Sequence, residues 1–307
     1  MKFLLRSVAT LALMLPVCPR AAAQMGQEDF SKCTGSINPV RGNVSVLRVT
    51  CPDDDNNLLV LDGPEGYLLV DHPEAASNAI LQKLLDELGK RPVRFVVNTH
   101  WHYDHVGGNE IYAPGAVVVA HENVRARLMT QQKPWWSPTP IGPYPQRAWP
   151  RVSYRDELSI HFDGENVTLA HYGVGHTDGD SIVYFENANV VDVGDLFHGK
   201  GHFSGGADMQ GIAKVLAAVV AKINDATIVV PGHGAISNRR DLAEYVNFLN
   251  DTIASMKEQI AAGKTDAEIQ AAGLPEKWQA WPAVGQAAVR EFLHYTYNSL
   301  TKPDLNQ

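Results

Sequence analysis

Asn98-Thr99-His100-Trp101-His102-Tyr103-Asp104-His105-Val106-Gly107-Gly108 is the stretch that decides how this chain is read. Four potential metal ligands, His100, His102, Asp104 and His105, fall within six residues. They follow Val93-Arg94-Phe95-Val96-Val97, a run apolar, aromatic and β-branched enough to be a buried strand. The Gly107-Gly108 pair then releases the chain into a new element. Ligands at the end of a buried strand are held on a rigid edge and still face a cleft. A lone histidine is most simply a core or surface residue, but this many nitrogen and oxygen donors so close together point to a metal. Imidazole with carboxylate suits zinc, and also iron or manganese.

Working outward, three further positions share that placement. His176 lies in the glycine-rich run Val174-Gly175-His176-Thr177-Asp178-Gly179-Asp180. Asp195 follows the apolar run Val190–Val193 as Gly194-Asp195-Leu196-Phe197. His233 follows Ile228–Val230 as Pro231-Gly232-His233-Gly234. Each sits where a buried strand gives way to a Gly-containing turn, as a cleft along one sheet edge requires. Neighbouring polar residues have open roles. Asp178 and Asp180 stand where they could orient His176, and Asp71 or His72 is either a support for a ligand or plain surface. In the loop after Asp195, Lys200 could anchor a substrate carboxylate and His198 or His202 could donate to an oxyanion; each is more simply a solvated loop residue.

In this order and spacing, His100-x-His102-x-Asp104-His105, His176, Asp195 and His233 resemble the signature of the metallo-β-lactamase superfamily. The resemblance covers most of the chain from about Val44 to the helix after His233. It implies an α+β fold, the four-layer αβ/βα sandwich with a dinuclear metal cleft at one edge. By the same resemblance His100, His102 and His176 hold the first metal. Asp104, His105 and His233 hold the second, and Asp195 bridges both. Two divalent metals a few ångströms apart bring the pKa of a shared water to ~7, which gives a hydroxide for attack on a carbonyl or phosphoryl centre. Asp104 is the residue expected to orient that hydroxide and handle its proton, the alternative being a ligand only. Some β-lactamases of the superfamily have cysteine at the position of Asp195 and no histidine at that of His105, and others lack the bridging carboxylate. The set found here is that of relatives acting on thioesters, lactones and phosphodiesters. The expected function is therefore a hydrolase of an ester, lactone, thioester or amide, with a β-lactam one candidate amide and two zinc ions as cofactor. An iron-dependent oxidoreductase of the same superfamily and a non-catalytic metal-binding module are the competing readings. The cysteine-free donor set argues against a closed structural zinc site.

The rest of the chain bounds this reading. A length of 307 residues allows a sizeable core. A formal charge of −8 without any Lys/Arg run argues against a nucleic-acid partner and leaves a small-molecule substrate. Lys2 and Arg6, the apolar run Val8 to Val17, and Ala21-Ala22-Ala23 read as a secretory signal peptide over residues 1–23, so the protein is expected to be exported, periplasmic or secreted. That run is too short to span a bilayer, and no other stretch is apolar enough. Cys33 and Cys51 remain after cleavage, either as a disulfide suited to an oxidising compartment or as two thiols.

Residues 24–43 read as a polar leader and 44–307 as a single domain ending in helices. Strands are expected at Val44–Val49, Leu58–Leu61, Tyr67–Val70, 93–97, 117–119, Leu158–Ile160, Val167–His171, Ile182–Phe185, Val190–Val193 and Ile228–Val230. Helices are expected at Ala75–Leu88, Glu122–Thr130, Met209–Ile223, Arg239–Ala262, Thr265–Ala272 and Val284–Leu300. Strands then helices, given twice, suggest two halves packed sheet on sheet. Residues 132–150 stand apart, dense in proline and tryptophan. They form either a substrate loop presenting Trp135 and Trp136 or a surface loop packed on the body.

Overall fold

A computed structural model describes residues 30–52, 55–73, 75–134, 137 and 139–302. The expected signal peptide, Trp135 and Trp136 lie outside the described residues.

The first half runs β1 (Thr34–Arg41), β2 (Val44–Thr50), β3 (Asp55–Gly63), β4 (Gly66–Val70), α1 (Asn78–Leu88), β5 (Val93–Val97), α2 (Tyr103–Val106), α3 (Asn109–Tyr112), β6 (Val117–His121), α4 (Glu122–Met129) and β7 (Val152–Tyr154). The second runs β8 (Glu157–Phe162), β9 (Glu165–Ala170), β10 (Ile182–Phe185), β11 (Val190–Asp192), α5 (Met209–Lys222), β12 (Ile228–Val230), β13 (Ser237–Asn238), α6 (Arg239–Ala261), α7 (Asp266–Ala272) and α8 (Gln286–Thr301). Among the described residues, β1 to β7 form one sheet in chain order, and β13-β12-β11-β10-β9-β8 form the other.

Side-chain alternation explains the layering. In β3, Leu59 and Leu61 face the second sheet, where they join Phe162, Val167, Leu169, Val183 and Phe185. Leu58 and Val60, one residue out of phase, face the opposite way onto Leu81, Leu84 and Leu85 of α1. The second sheet repeats the arrangement. Its outer face, with Ile182, Tyr184 and Val191, is covered by Ile212, Leu216 and Val219 of α5, Leu242 and Phe248 of α6, and Phe292 of α8. The result is helix, sheet, sheet, helix, the expected α+β sandwich. Thr265 caps α7 through a capping box with Glu268.

One expectation about the start of the domain is overturned. The leader does not reach residue 43, because Thr34–Arg41 pairs antiparallel with β2 along its whole length. This is an edge strand with no fully buried residue, so its polar residues and Pro39 cost little. Cys33 and Cys51 form a disulfide that closes the ends of β1 and β2.

Candidate metal centre

Every predicted ligand leaves the C-terminal end of a strand or the turn just beyond it, all at one edge of the sandwich. After β5, Asn98 and Asn109 exchange side-chain hydrogen bonds at 3.0 and 2.8 Å, and Asn98 Nδ2 also donates to the His105 carbonyl. That buried amide pair pins both ends of the His100–His105 turn. His176 sits in a loop closed by Asp180, which accepts from the Thr177 amide and hydroxyl. Asp195 lies in a single 3-10 turn after β11, and His233 in the turn after β12. Gly232 must be glycine for packing reasons, since a Cβ there would lie 2.0 Å from Asp195 Oδ1.

The side chains converge into two donor sets that share one carboxylate: His100, His102, His176 and Asp195, and Asp104, His105, His233 and Asp195. Within each set the donor atoms lie within 4.8 Å of one another. Asp195 Oδ2 stands 3.7 Å from His100 Nε2, 3.6 Å from His176 Nε2 and 3.3 Å from His233 Nε2, while Oδ1 stands 3.3 Å from His105 Nε2. Asp104 Oδ2 is 3.3 Å from both His105 Nε2 and His233 Nε2.

The outer nitrogens fix the tautomers. His176 Nδ1 meets the Gly205 carbonyl and His233 Nδ1 the Asp55 carbonyl, both at 2.6 Å. A carbonyl only accepts, so each Nδ1 carries the proton and each Nε2 presents a lone pair. His105 Nδ1 donates to Asp71 Oδ2 at 2.7 Å. Thr99 spends its hydroxyl proton on the same oxygen and so accepts from His100 Nδ1 at 3.0 Å. Asp71 thus orients two histidines, one directly and one through Thr99. His102 is turned the other way, its Nδ1 facing His176 Nε2 at 3.0 Å.

The electrostatics are those of a site built for positive charge. Burial opposes ionisation of Asp195, yet in the metal-free site His233, His105 and His100, when protonated, hold its pKa well below the usual carboxylate range. Asp104 is held low against the same penalty by His105 and His233. His102 is pushed down to about 3, first by burial and then by His176, so it is a neutral ligand-ready imidazole. His100 Nε2, His105 Nε2 and Asp195 Oδ1 are buried without any hydrogen-bond partner. Unpaired buried polar atoms cost about 1–3 kcal/mol each, and divalent ions between the donor sets would satisfy all three. The residues therefore fit a metal centre.

The family model of the metallo-beta-lactamase superfamily matches residues 52–233. The chain belongs to that superfamily. It is 25% identical to the metallo-beta-lactamase type 2 of Bacteroides fragilis over 80% of this chain and 96% of that protein. It is 30% identical to the hydroxyacylglutathione hydrolase of Acaryochloris marina over half of this chain and 52% of the relative. In structure it resembles a metallo-beta-lactamase from Pontibacter korlensis, with a TM-score of 0.59 at 20% identity over 71% of this chain and all of the other. It also resembles the sec-alkyl sulfatase PisA1, with a TM-score of 0.67 at 14% identity over 87% of this chain and half of the other. The fold is thus the metallo-β-lactamase fold, and the chain is a superfamily hydrolase with a His/Asp site suited to divalent metal.

Around the superfamily's centre, the other predicted residues scatter. His198 and His202 line an open cleft with Thr50, Cys51, Asp55, His233 and Ala235. Lys200 does not. Its ammonium is held by Glu244 at 2.8 Å and Asp241 at 3.5 Å on α6. Asp178 pairs with Arg127 at 2.8 Å, and Asp180 shapes the loop, so neither carboxylate accepts from the His176 ring; the Gly205 carbonyl does. Trp149 packs with Trp101 and Val106, and its indole donates to the Tyr144 carbonyl, so this end of the 132–150 loop lies on the body. Asp71 was the ambiguous residue that matters. Its only sequence signal is a carboxylate just after an apolar strand, and it sits at φ 64°, a conformation that aims it back under the turn.

Proposed function

We propose that this chain is an exported hydrolase that holds two zinc ions and cleaves an ester, lactone, thioester or amide, β-lactams included. The carrying observation is the sharing of Asp195 between two complete donor sets, which suits a pair of ions rather than one. Zinc held by these residues would supply positive charge able to acidify a water near neutral pH and to polarise the oxygen under attack. The protein's part is to fix that geometry through Asp71, Thr99, Gly205 and Asp55, and to offer an open cleft beside His233. Asp104 is the better proton handler of the two carboxylates, since its side chain is 16% exposed against 6% for Asp195. The relatives named as a metallo-beta-lactamase and a hydroxyacylglutathione hydrolase both cleave an acyl bond and support this class. The Cys33–Cys51 disulfide agrees with an oxidising compartment, as does the N-terminal pattern.

Metal analysis of the purified protein followed by a panel of chromogenic β-lactam, thioester, lactone and phosphodiester substrates tests the reading. Two zinc equivalents with turnover on at least one acyl substrate is the expected result. Iron with no hydrolysis would move the assignment to an oxidoreductase, and tightly held zinc with a dead panel to a binding module. Asp104→Asn should lower kcat by ~10²-fold or more with metals still bound; full turnover would remove the proton-handling role. Export is checked by N-terminal sequencing, which should begin near Gln24.

A further inference from the structure

Beyond the seven superfamily ligands, one more imidazole carries their structural signature. His198 lies three residues after Asp195, and its Nε2 stands 3.8 Å from Asp195 Oδ2. That is within 0.2 Å of the separations from the same oxygen to His100 and His176, 3.7 and 3.6 Å. Two donors on one ion, each ~2.1 Å from it, stand roughly 3.0–3.6 Å apart. His198 stands outside the two sets whose donor atoms all lie within 4.8 Å of one another, so its ring would turn toward Asp195 to share an ion with that carboxylate.

The inward nitrogen is also sealed. His198 Nε2 is buried and lacks any hydrogen-bond partner, as are His100 Nε2, His105 Nε2 and Asp195 Oδ1. The flank of the ring is another matter: the side chain is 25% exposed and borders the cleft, with its centroid 5.1 Å from that of His233. A hydrogen-bond donor for substrate would need its N–H presented to the cleft. Here Nε2 is buried and stands 3.8 Å from the shared carboxylate. A buried nitrogen with no partner, aimed at an anion among other such nitrogens, is placed to bind a cation.

We infer that His198 is an eighth metal ligand, adding an imidazole to the centre at the Asp195 carboxylate on the cleft side. This rests on reading the seven residues as a metal centre. The class of ligand is a first-row divalent ion such as zinc, cobalt or iron, which imidazole favours over magnesium or calcium. It also places that ligand at the wall of the open cleft that His233 lines.

The test reads metal rather than turnover. Metal-free full-length protein is titrated with Co²⁺ against a chromogenic chelator, for the wild type, His198→Ala, His198→Gln and the control Lys200→Ala. The expected result is a 10–100-fold weaker second equivalent and an altered visible Co²⁺ spectrum in both His198 variants, with Lys200→Ala unchanged. Proton NMR of the Co²⁺ protein should lose one hyperfine-shifted, exchangeable imidazole N–H in His198→Gln, which keeps the inference testable if the alanine variant fails to fold. Equal affinities, spectra and N–H counts in wild type and His198→Gln would overturn it. These readings hold even if the substrate panel is dead, so failure here and failure of the hydrolase reading are separable.

Discussion

Asp71 shows how much of a metal site rests on a residue that need not touch metal. It accepts from the Thr99 amide at 2.7 Å, the Thr99 hydroxyl at 2.7 Å and His105 Nδ1 at 2.7 Å. Asp71→Asn can present an N–H to His105 and so favours the wrong tautomer. Metal affinity should fall by ~10–100-fold with the fold intact, read by chelator competition beside circular dichroism. An unchanged affinity would mean that the turn alone orients the ring. Next along the chain, His72 is fully buried and its pKa is lowered to about 4 by that burial. The sign follows directly. Below pH 6.5 the unfolded chain takes up a proton that the folded chain refuses until about pH 4. Stability is therefore lost as pH falls through that window, by up to about 3 kcal/mol from this group. Urea melts of wild type and His72→Gln at pH 7, 5.5 and 4.5 should show a shallower pH slope in the variant; identical slopes would rule the contribution out.

At the scale of elements, β1 and the 132–150 loop mark where periodicity stops informing. Strand β1 carries Gly35, Asn38 and Pro39 and fully buries none of its residues, so no apolar alternation announces it. It forms because β2 offers an unpaired edge and because the disulfide ties its start to the end of β2. With the two cysteines 18 positions apart, the cross-link should contribute about 3 kcal/mol by restricting the unfolded chain. Cys33→Ser/Cys51→Ser should lower the urea midpoint accordingly while metal stoichiometry stays the same. A loss of metal as well would show that β1 also supports the Asp55 turn behind His233. The interior strands were legible for the opposite reason. Leu58 to Leu61 and Ile182 to Phe185 are buried on both faces between layers, so they read as continuous apolar runs.

Across the whole molecule, the two sheets and their covering helices form three apolar clusters of 9 or more buried residues each. Folding should therefore not require metal. Chelation is expected to leave the far-ultraviolet circular dichroism unchanged at 25 °C and to lower Tm, since free metal at a thousand times Kd adds ~4 kcal/mol. Collapse of the spectrum on chelation would show instead that the ligand turns hold the sandwich together.

Sequence alone determined the donors, their order and their placement at strand ends, because ligand chemistry and strand burial are both local properties of residue type. It determined the layered α+β class for the same reason. Tertiary structure decided which atoms meet. His233 is oriented by a carbonyl 178 positions away and His176 by one 29 positions away, and a backbone carbonyl has no residue signature to read. Lys200 and His198 lie two positions apart in one loop, yet one turns out to α6 and the other in to Asp195. Only the path of the backbone through space separates an exposed ion pair from a buried nitrogen at the metal centre.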